Sequence, residues 1–272
     1  MVGNPAGARE EAERAAPLFE LDRVGFRVPG RQILREISLR LEQREIVGLI
    51  GPNGSGKSTL VKLLARQETA QTGAIRFLGR DIGEGSDKAF ARRVAYLPQF
   101  MPPSDGMTVE EFVALGRFPW HGSFGRVTRE DRDAVVEAIA QTGLEPFRVR
   151  VVDTLSGGER QRVWLAMLLA QGAPCLILDE PTSALDISHQ AEMLALVRTL
   201  AERRGLSVLI VMHDINMAAR LCDRLVALGH GQIVADGVPE DILTPDRLDA
   251  IYGIAMGIFR HPASGRPIGY VL

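Results

Sequence analysis

The chain has 272 residues, a net charge of −2, and 46% hydrophobic against 24% charged side chains. Those values fit one large globular domain or two small ones, and they exclude intrinsic disorder, collagen or a coiled coil as a description of the whole chain. The near-neutral balance gives no electrostatic reason to expect a nucleic-acid partner.

Residues 1–17 carry Glu and Arg without an apolar run and read as a mobile N-terminal tail rather than a signal peptide. Residues 18–28 and 37–41 alternate as strands. Residues 45–50 form a strand that runs into a Gly-rich loop, and a helix follows over 57–66. Residues 74–77 read as a strand, 86–92 as a short helix capped by Ser86, and 93–97 as a strand stopped by Pro98. From Gln99 to Gly125 the chain is rich in Pro, Gly, Met and aromatics. Thr108 with Glu111 forms a capping box there, and Thr128 caps a further helix ending near Gly143. A helix over 159–170 precedes strands at 175–179 and 207–212, with a helix over 188–204 between them. Residues 225–228 and 232–235 flank a hairpin signal at Gly229-His230-Gly231. Thr244-Pro245 opens a last helix, and residues 258–272 are extended. Short apolar strands alternating with helices predict an α/β domain with a parallel sheet, interrupted by a mostly helical insertion. No apolar stretch reaches the ~18 residues of a membrane span. The two cysteines, Cys175 and Cys222, are too few for a disulfide framework or a zinc site and fit a reducing compartment. Only Lys57, Lys62 and Lys88 are lysines, so a surviving Lys marks a place for a compact ammonium.

Three runs carry chemistry. Gly51-Pro52-Asn53-Gly54-Ser55-Gly56-Lys57-Ser58 matches the phosphate-binding loop, in its required place between a strand and a helix. Its glycines turn successive backbone N–H groups toward phosphate oxygens, and the helix N-terminus adds its positive end. Lys57 reaches the terminal phosphates, and the Ser58 hydroxyl ligates Mg²⁺. Cys175–Glu180 is an apolar strand ending in two acids, where parallel sheets bind ligands: Asp179 suits the Mg²⁺ shell and Glu180 the polarisation of water. Ser156-Gly157-Gly158 opens a long helix and offers a second anion-ready N-terminus with free N–H groups and a hydroxyl.

The phosphate-binding loop, LSGGERQR, LILDEP, SALD and a His after a strand, in that order, resemble the nucleotide-binding subunit of an ATP-binding-cassette transporter over about residues 18–272. The resemblance implies a P-loop ATPase core with a mostly parallel sheet and an antiparallel β subdomain over 18–257. The helical subdomain is inserted at about 100–165, and an extended segment over 258–272 ends the chain. It implies ATP and Mg²⁺, held by Gly51, Asn53, Gly54, Ser55, Gly56, Lys57, Ser58 and Thr59. Phe26 would stack on adenine, Gln99 would sense Mg²⁺ and the attacking water, and His213 would contact the γ-phosphate. Two copies would face head to tail, so that Ser156, Gly157 and Gly158 of one close over the ATP of the other and Asp186 crosses between them. Segments 87–99, 116–122, 213–220 and 252–262 narrow the resemblance to the ATPase of ferric hydroxamate siderophore uptake. That implies an integral-membrane permease, indirectly a siderophore-binding protein, and a peripheral place on the cytoplasmic face of the inner membrane. The alternatives are an importer of another iron chelate, haem or cobalamin, and a soluble ATPase of the superfamily. Residues 99–125 are expected to dock the permease through Phe118, Trp120 and Phe124, with Phe112 in the core.

Overall fold

The computed structural model describes Glu13 and residues 15–121, 125–183 and 185–272. Most of the expected N-terminal tail (residues 1–12 and 14) and Phe124 lie outside the described residues. Two compact units divide the chain: Met1–Glu84 with Val211–Leu272, and Gly85–Ile210.

The first unit opens with β1 (Phe19–Val28), β2 (Arg31–Leu41), β3 (Ile46–Ile50), α1 (Lys57–Leu64), β4 (Thr72–Phe77) and the two-residue β5 (Arg80–Asp81). β2, β1, β4 and β5 lie side by side in an antiparallel sheet. Phe19, Leu21 and, after an irregularity in register, Val24 are buried, and Phe19 packs its ring 5.0 Å from Phe77. β2 begins six residues before the expected strand. Arg31 and Gln32 have no apolar pattern, but Val28 and Arg27 of β1 pair with them across a tight turn. Every residue of β3 is buried, as a parallel strand covered on both faces requires.

The second unit contains α2 (Asp87–Ala91), β6 (Val94–Leu97), α3 (Val109–Ala114), α4 (Phe118–His121), α5 (Arg129–Gln141), α6 (Gly157–Gln171), β7 (Cys175–Asp179), α7 (Ile187–Arg204) and β8 (Ser207–Val211). β6 and β7 pair in parallel, and β7 and β8 are fully buried apolar strands. Ser86, Thr108, Thr128 and Ser156 cap α2, α3, α5 and α6 through their hydroxyls. Phe112 is buried edge-on against Trp164 at 4.8 Å, the core role expected of it.

Trp120, one of the aromatics expected to dock the permease, also has contacts within its own subunit. It sits in α4, where no helix was expected. Its indole N–H donates to the Gln171 carbonyl at 2.7 Å, and the Arg92 and Arg117 guanidinium groups lie 4.9 and 4.7 Å from its ring. Arg92 also donates to the Pro119 and Trp120 carbonyls. Trp120 thus ties α4 to the end of α2 through a cation–π contact and to α6 through its hydrogen bond, and it remains 41% exposed. Arg92 and Gln171 are 28 and 51 positions away, so periodicity could not show them.

The chain returns to the first unit with α8 (Ile215–Leu221), β9 (Arg224–Gly229), β10 (Gln232–Gly237), α9 (Pro239–Ile242), α10 (Pro245–Tyr252), β11 (Met256–Arg260) and β12 (Pro267–Val271). β9 pairs with β3 in parallel and with β10 in the expected hairpin. The segment expected simply as extended is a second hairpin, β11 with β12. Asn216 of α8 pins it with two bonds, donating to the Gly269 carbonyl and accepting from its N–H. Among the described residues no helix is long and apolar enough to cross a membrane.

Candidate nucleotide-binding and catalytic site

In the first unit the loop from Gly51 to Gly56 joins β3 to α1. Gly51, Gly54 and Gly56 have φ of 134°, 76° and 105°. A side chain at Gly51 would need a Cβ only 2.1 Å from the Leu228 carbonyl oxygen. Gly56 is the N-cap of α1, and no side chain caps that helix. Ser, Thr, Asp or Asn would ordinarily hold the first amides, so the sequence leaves this N-terminus to an anion. The Lys57 ammonium is buried in the curve of the loop and donates to the Gly51 and Pro52 carbonyls at 2.9 and 3.0 Å. Asn53 and Gly54 are exposed at the rim, and Ser58 and Thr59 follow in the first turn of α1, half-buried. Beside the loop lies an open depression of about 760 Å³, lined in part by Arg31, Ile33, Asn53, Gly54, Ser55 and Tyr252. Arg31 reaches the Gly54 carbonyl at 3.4 Å. Phe26 is half-buried within β1 opposite Leu34 and does not line this depression. His213 is exposed after β8, immediately before Asp214, whose carboxylate caps α8.

In the second unit β7 delivers Asp179, buried, to its C-terminal end. Burial, and then the charge of Asp179, push the Tyr96 phenol up to about 12. Glu180 follows in the left-handed region, with φ 54°, and turns the chain so that Ser183 donates to its carbonyl at 3.3 Å. A non-glycine residue held there stores about 1–3 kcal/mol of strain, which clusters at functional sites. The side-chain amide of Gln99 donates to the Glu180 carboxylate at 2.6 Å. Two candidates separated by 81 positions are therefore in direct contact, which no local pattern revealed.

Ser156 caps α6, and its hydroxyl is engaged in a capping box. It accepts from the Glu159 N–H and donates to the Glu159 carboxylate, which also accepts from the Ser156 N–H. These bonds hold the Glu159 carboxyl below its usual range. Gly157 and Gly158 form the first turn of α6. Asp186 caps α7, and its carboxyl is drawn down to about 2, first by the His189 backbone N–H and then by the Ser188 hydroxyl and the His189 ring.

The P-loop with its uncapped helix and the acidic strand end define a P-loop nucleotide-binding ATPase. Residues 34–183 match the family model described as ABC transporter, and the chain belongs to the ABC transporter family. It is 39% identical to the iron(3+)-hydroxamate import ATP-binding protein of Bacillus subtilis (strain 168), over 91% of this chain and 92% of that one. Identity to the hemin import ATP-binding protein of Streptomyces coelicolor is 43%, over 87% of this chain and 83% of the other. Among solved structures it is similar to a dimeric ATP-binding cassette in a post-hydrolysis state bound to ADP and Pi, at a TM-score of 0.69 and 26% identity, covering 81% and 98% of the two chains. It is thus a transport ATP-binding subunit of the ABC ATPase class.

Proposed function

We propose that this subunit hydrolyses ATP to drive a membrane permease that imports ferric hydroxamate siderophores. The observation that carries this cargo is the near full-length similarity to the hydroxamate import protein, which runs well past the catalytic motifs. A haem importer is the second reading, favoured by the higher identity of the hemin relative. The test is growth on, and uptake of, a radiolabelled ferric hydroxamate after deletion of the gene. Uptake of the hydroxamate is expected to be lost and haem use retained; the reverse pattern would replace the first reading by the second.

The residues support the following roles. Lys57 and the loop amides neutralise and orient the phosphates of ATP. Ser58, Gln99 and Asp179 supply the oxygen donors that suit Mg²⁺, which when bound offsets charge on the β- and γ-phosphates. Glu180 orients the attacking water and accepts its proton, His213 faces the γ-phosphate, and Phe26 offers a ring to the base. Positioning and charge neutralisation do most of the work in phosphoryl transfer. Ser156, Gly158 and Asp186 serve the nucleotide of a second identical subunit. Dimer closure on ATP moves the permease by its differential affinity for the closed state. The stretch after Gln99 borders a groove of about 410 Å³ with Phe100, Met101, Pro102 and Trp164. Phe100, 84% exposed, joins Phe118 and Trp120, which are also exposed, as an aromatic offered to the permease at the cytoplasmic face of the membrane.

Sharing a site between two copies has a direct test. A Lys57→Ala subunit mixed with a Ser156→Arg subunit forms a heterodimer with one doubly damaged and one intact site. Activity is expected to return on mixing. Heterodimers that form yet stay inactive would remove the shared-site assignment or require both sites to fire together.

A further inference from the structure

His189, a residue to which no role has been given above, touches both elements of the second unit that the proposed function offers to the neighbouring subunit. Its ring Nδ1 lies 2.8 Å from the Asp186 carboxylate, which also accepts from the His189 N–H at 2.9 Å and the Ser188 hydroxyl at 2.8 Å. The other edge of the ring lies against α6. A Cβ built on Gly158 would stand 2.6 Å from His189 Cδ2 and 3.2 Å from Cγ. That is closer than two carbons can approach, so Gly158 is the residue that makes room for the imidazole. Gln190 secures the same loop from the other side, donating to the Thr182 and Leu185 carbonyls at 3.1 and 2.9 Å.

We propose that His189 is a positioning residue that fixes the spacing between the start of α6 and the loop ending at Asp186, so that both meet the neighbouring subunit's nucleotide as one rigid edge. The inference rests on the reading of Ser156, Gly158 and Asp186 as groups that act across a dimer. Nδ1–H donates to the carboxylate, which fixes the ring plane, and the plane in turn fixes how closely Gly158 can stand. A displacement of about 1 Å at such an edge can cost about 100-fold in rate without removing a catalytic group.

The test uses the full-length subunit and ATP. His189→Ala should lower kcat at least about tenfold and leave the KM for ATP within about twofold, because the nucleotide's own loop is untouched. The melting temperature should barely move, since the ring is 44% exposed and the backbone cap on Asp186 remains. His189→Asn should recover most of kcat, because its side-chain N–H can donate to Asp186. Gly158→Ala must push the ring away from Asp186, so in the double variant the two losses should not multiply. A normal kcat in His189→Ala, an Asn variant as slow as the Ala variant, or losses that multiply would each overturn the proposal. Lys57→Ala separates the two levels of argument. Hydrolysis that survives it sinks the ATP-site reading itself. Hydrolysis lost with Lys57→Ala but intact in His189→Ala sinks only the role of His189.

Discussion

Replacing Glu180 by Gln should lower ATP turnover about 1,000-fold while ATP binding persists, since a general base contributes roughly 10²–10⁴ to rate. The substitution isolates basicity. Gln and Glu have the same length, and the amide oxygen can still accept the 2.6 Å bond from Gln99. Neither residue relieves or worsens the left-handed backbone at position 180. What disappears is an oxygen able to take a proton from water. Steady-state phosphate release and equilibrium nucleotide binding, measured on the same preparation, separate the two properties. Hydrolysis near the wild-type rate would remove Glu180 from the base role, and lost binding would mean that the substitution disturbed the site.

The largest expected effect on stability belongs to Asp131→Asn. Asp131 and Arg117 are both nearly buried and pair at 2.8 Å. The other carboxylate oxygen accepts from the Thr128 N–H and hydroxyl at 2.9 and 2.7 Å. Arg117 also donates to the Ala170 carbonyl and stacks on Trp120. An Asn amide would turn a donor toward either Arg117 or Thr128 and leave a buried cation without its counter-charge. Breaking one side of such a pair costs about 3 kcal/mol, or roughly 8 °C in Tm for a chain this long. Burial alone would raise the Asp131 carboxyl, but the Thr128 N–H, Arg117 and the Thr128 hydroxyl outweigh it and hold it at about 2. The folded value lies below the unfolded value of about 3.9. The stabilisation is therefore complete above the unfolded value and is lost as pH falls through the folded one. Denaturant midpoints of wild type and variant should differ by a constant amount from pH 7 down to about pH 5 and converge as pH approaches 2. A gap unchanged at pH 3 would mean that the charge of Asp131 is not what holds α5 to Arg117.

Much of the candidate site was legible because it is local. A P-loop is a strand, a turn of fixed glycines and a helix start within a dozen residues, and Lys57 cannot occupy any other place in it. β7 was readable residue for residue as an apolar run ending in Asp179. The caps at Ser86, Thr108 and Thr128 followed from side chains that reach a backbone N–H three residues on. The start of β2 was not legible, because Arg31 and Gln32 are held as strand by β1 and not by their own propensity. The β11–β12 hairpin was missed for a related reason: six residues, not a two-residue turn, join its strands.

The sequence by itself determined the local elements of the candidate site. It set the phosphate loop, the acidic strand end, the serine-capped α6 and the order in which they occur, since each depends on neighbours within a turn or a strand. Only the tertiary structure decided which side chains meet. The bond from Gln99 to Glu180, the Arg92–Trp120–Arg117 stack and the ring of His189 against Gly158 join residues from 3 to 81 positions apart. It also engaged the Ser156 hydroxyl with Glu159 and tied the Trp120 indole to Gln171. The physical reason is that periodicity records which face of an element is buried, whereas the partner on that face is chosen by packing between elements.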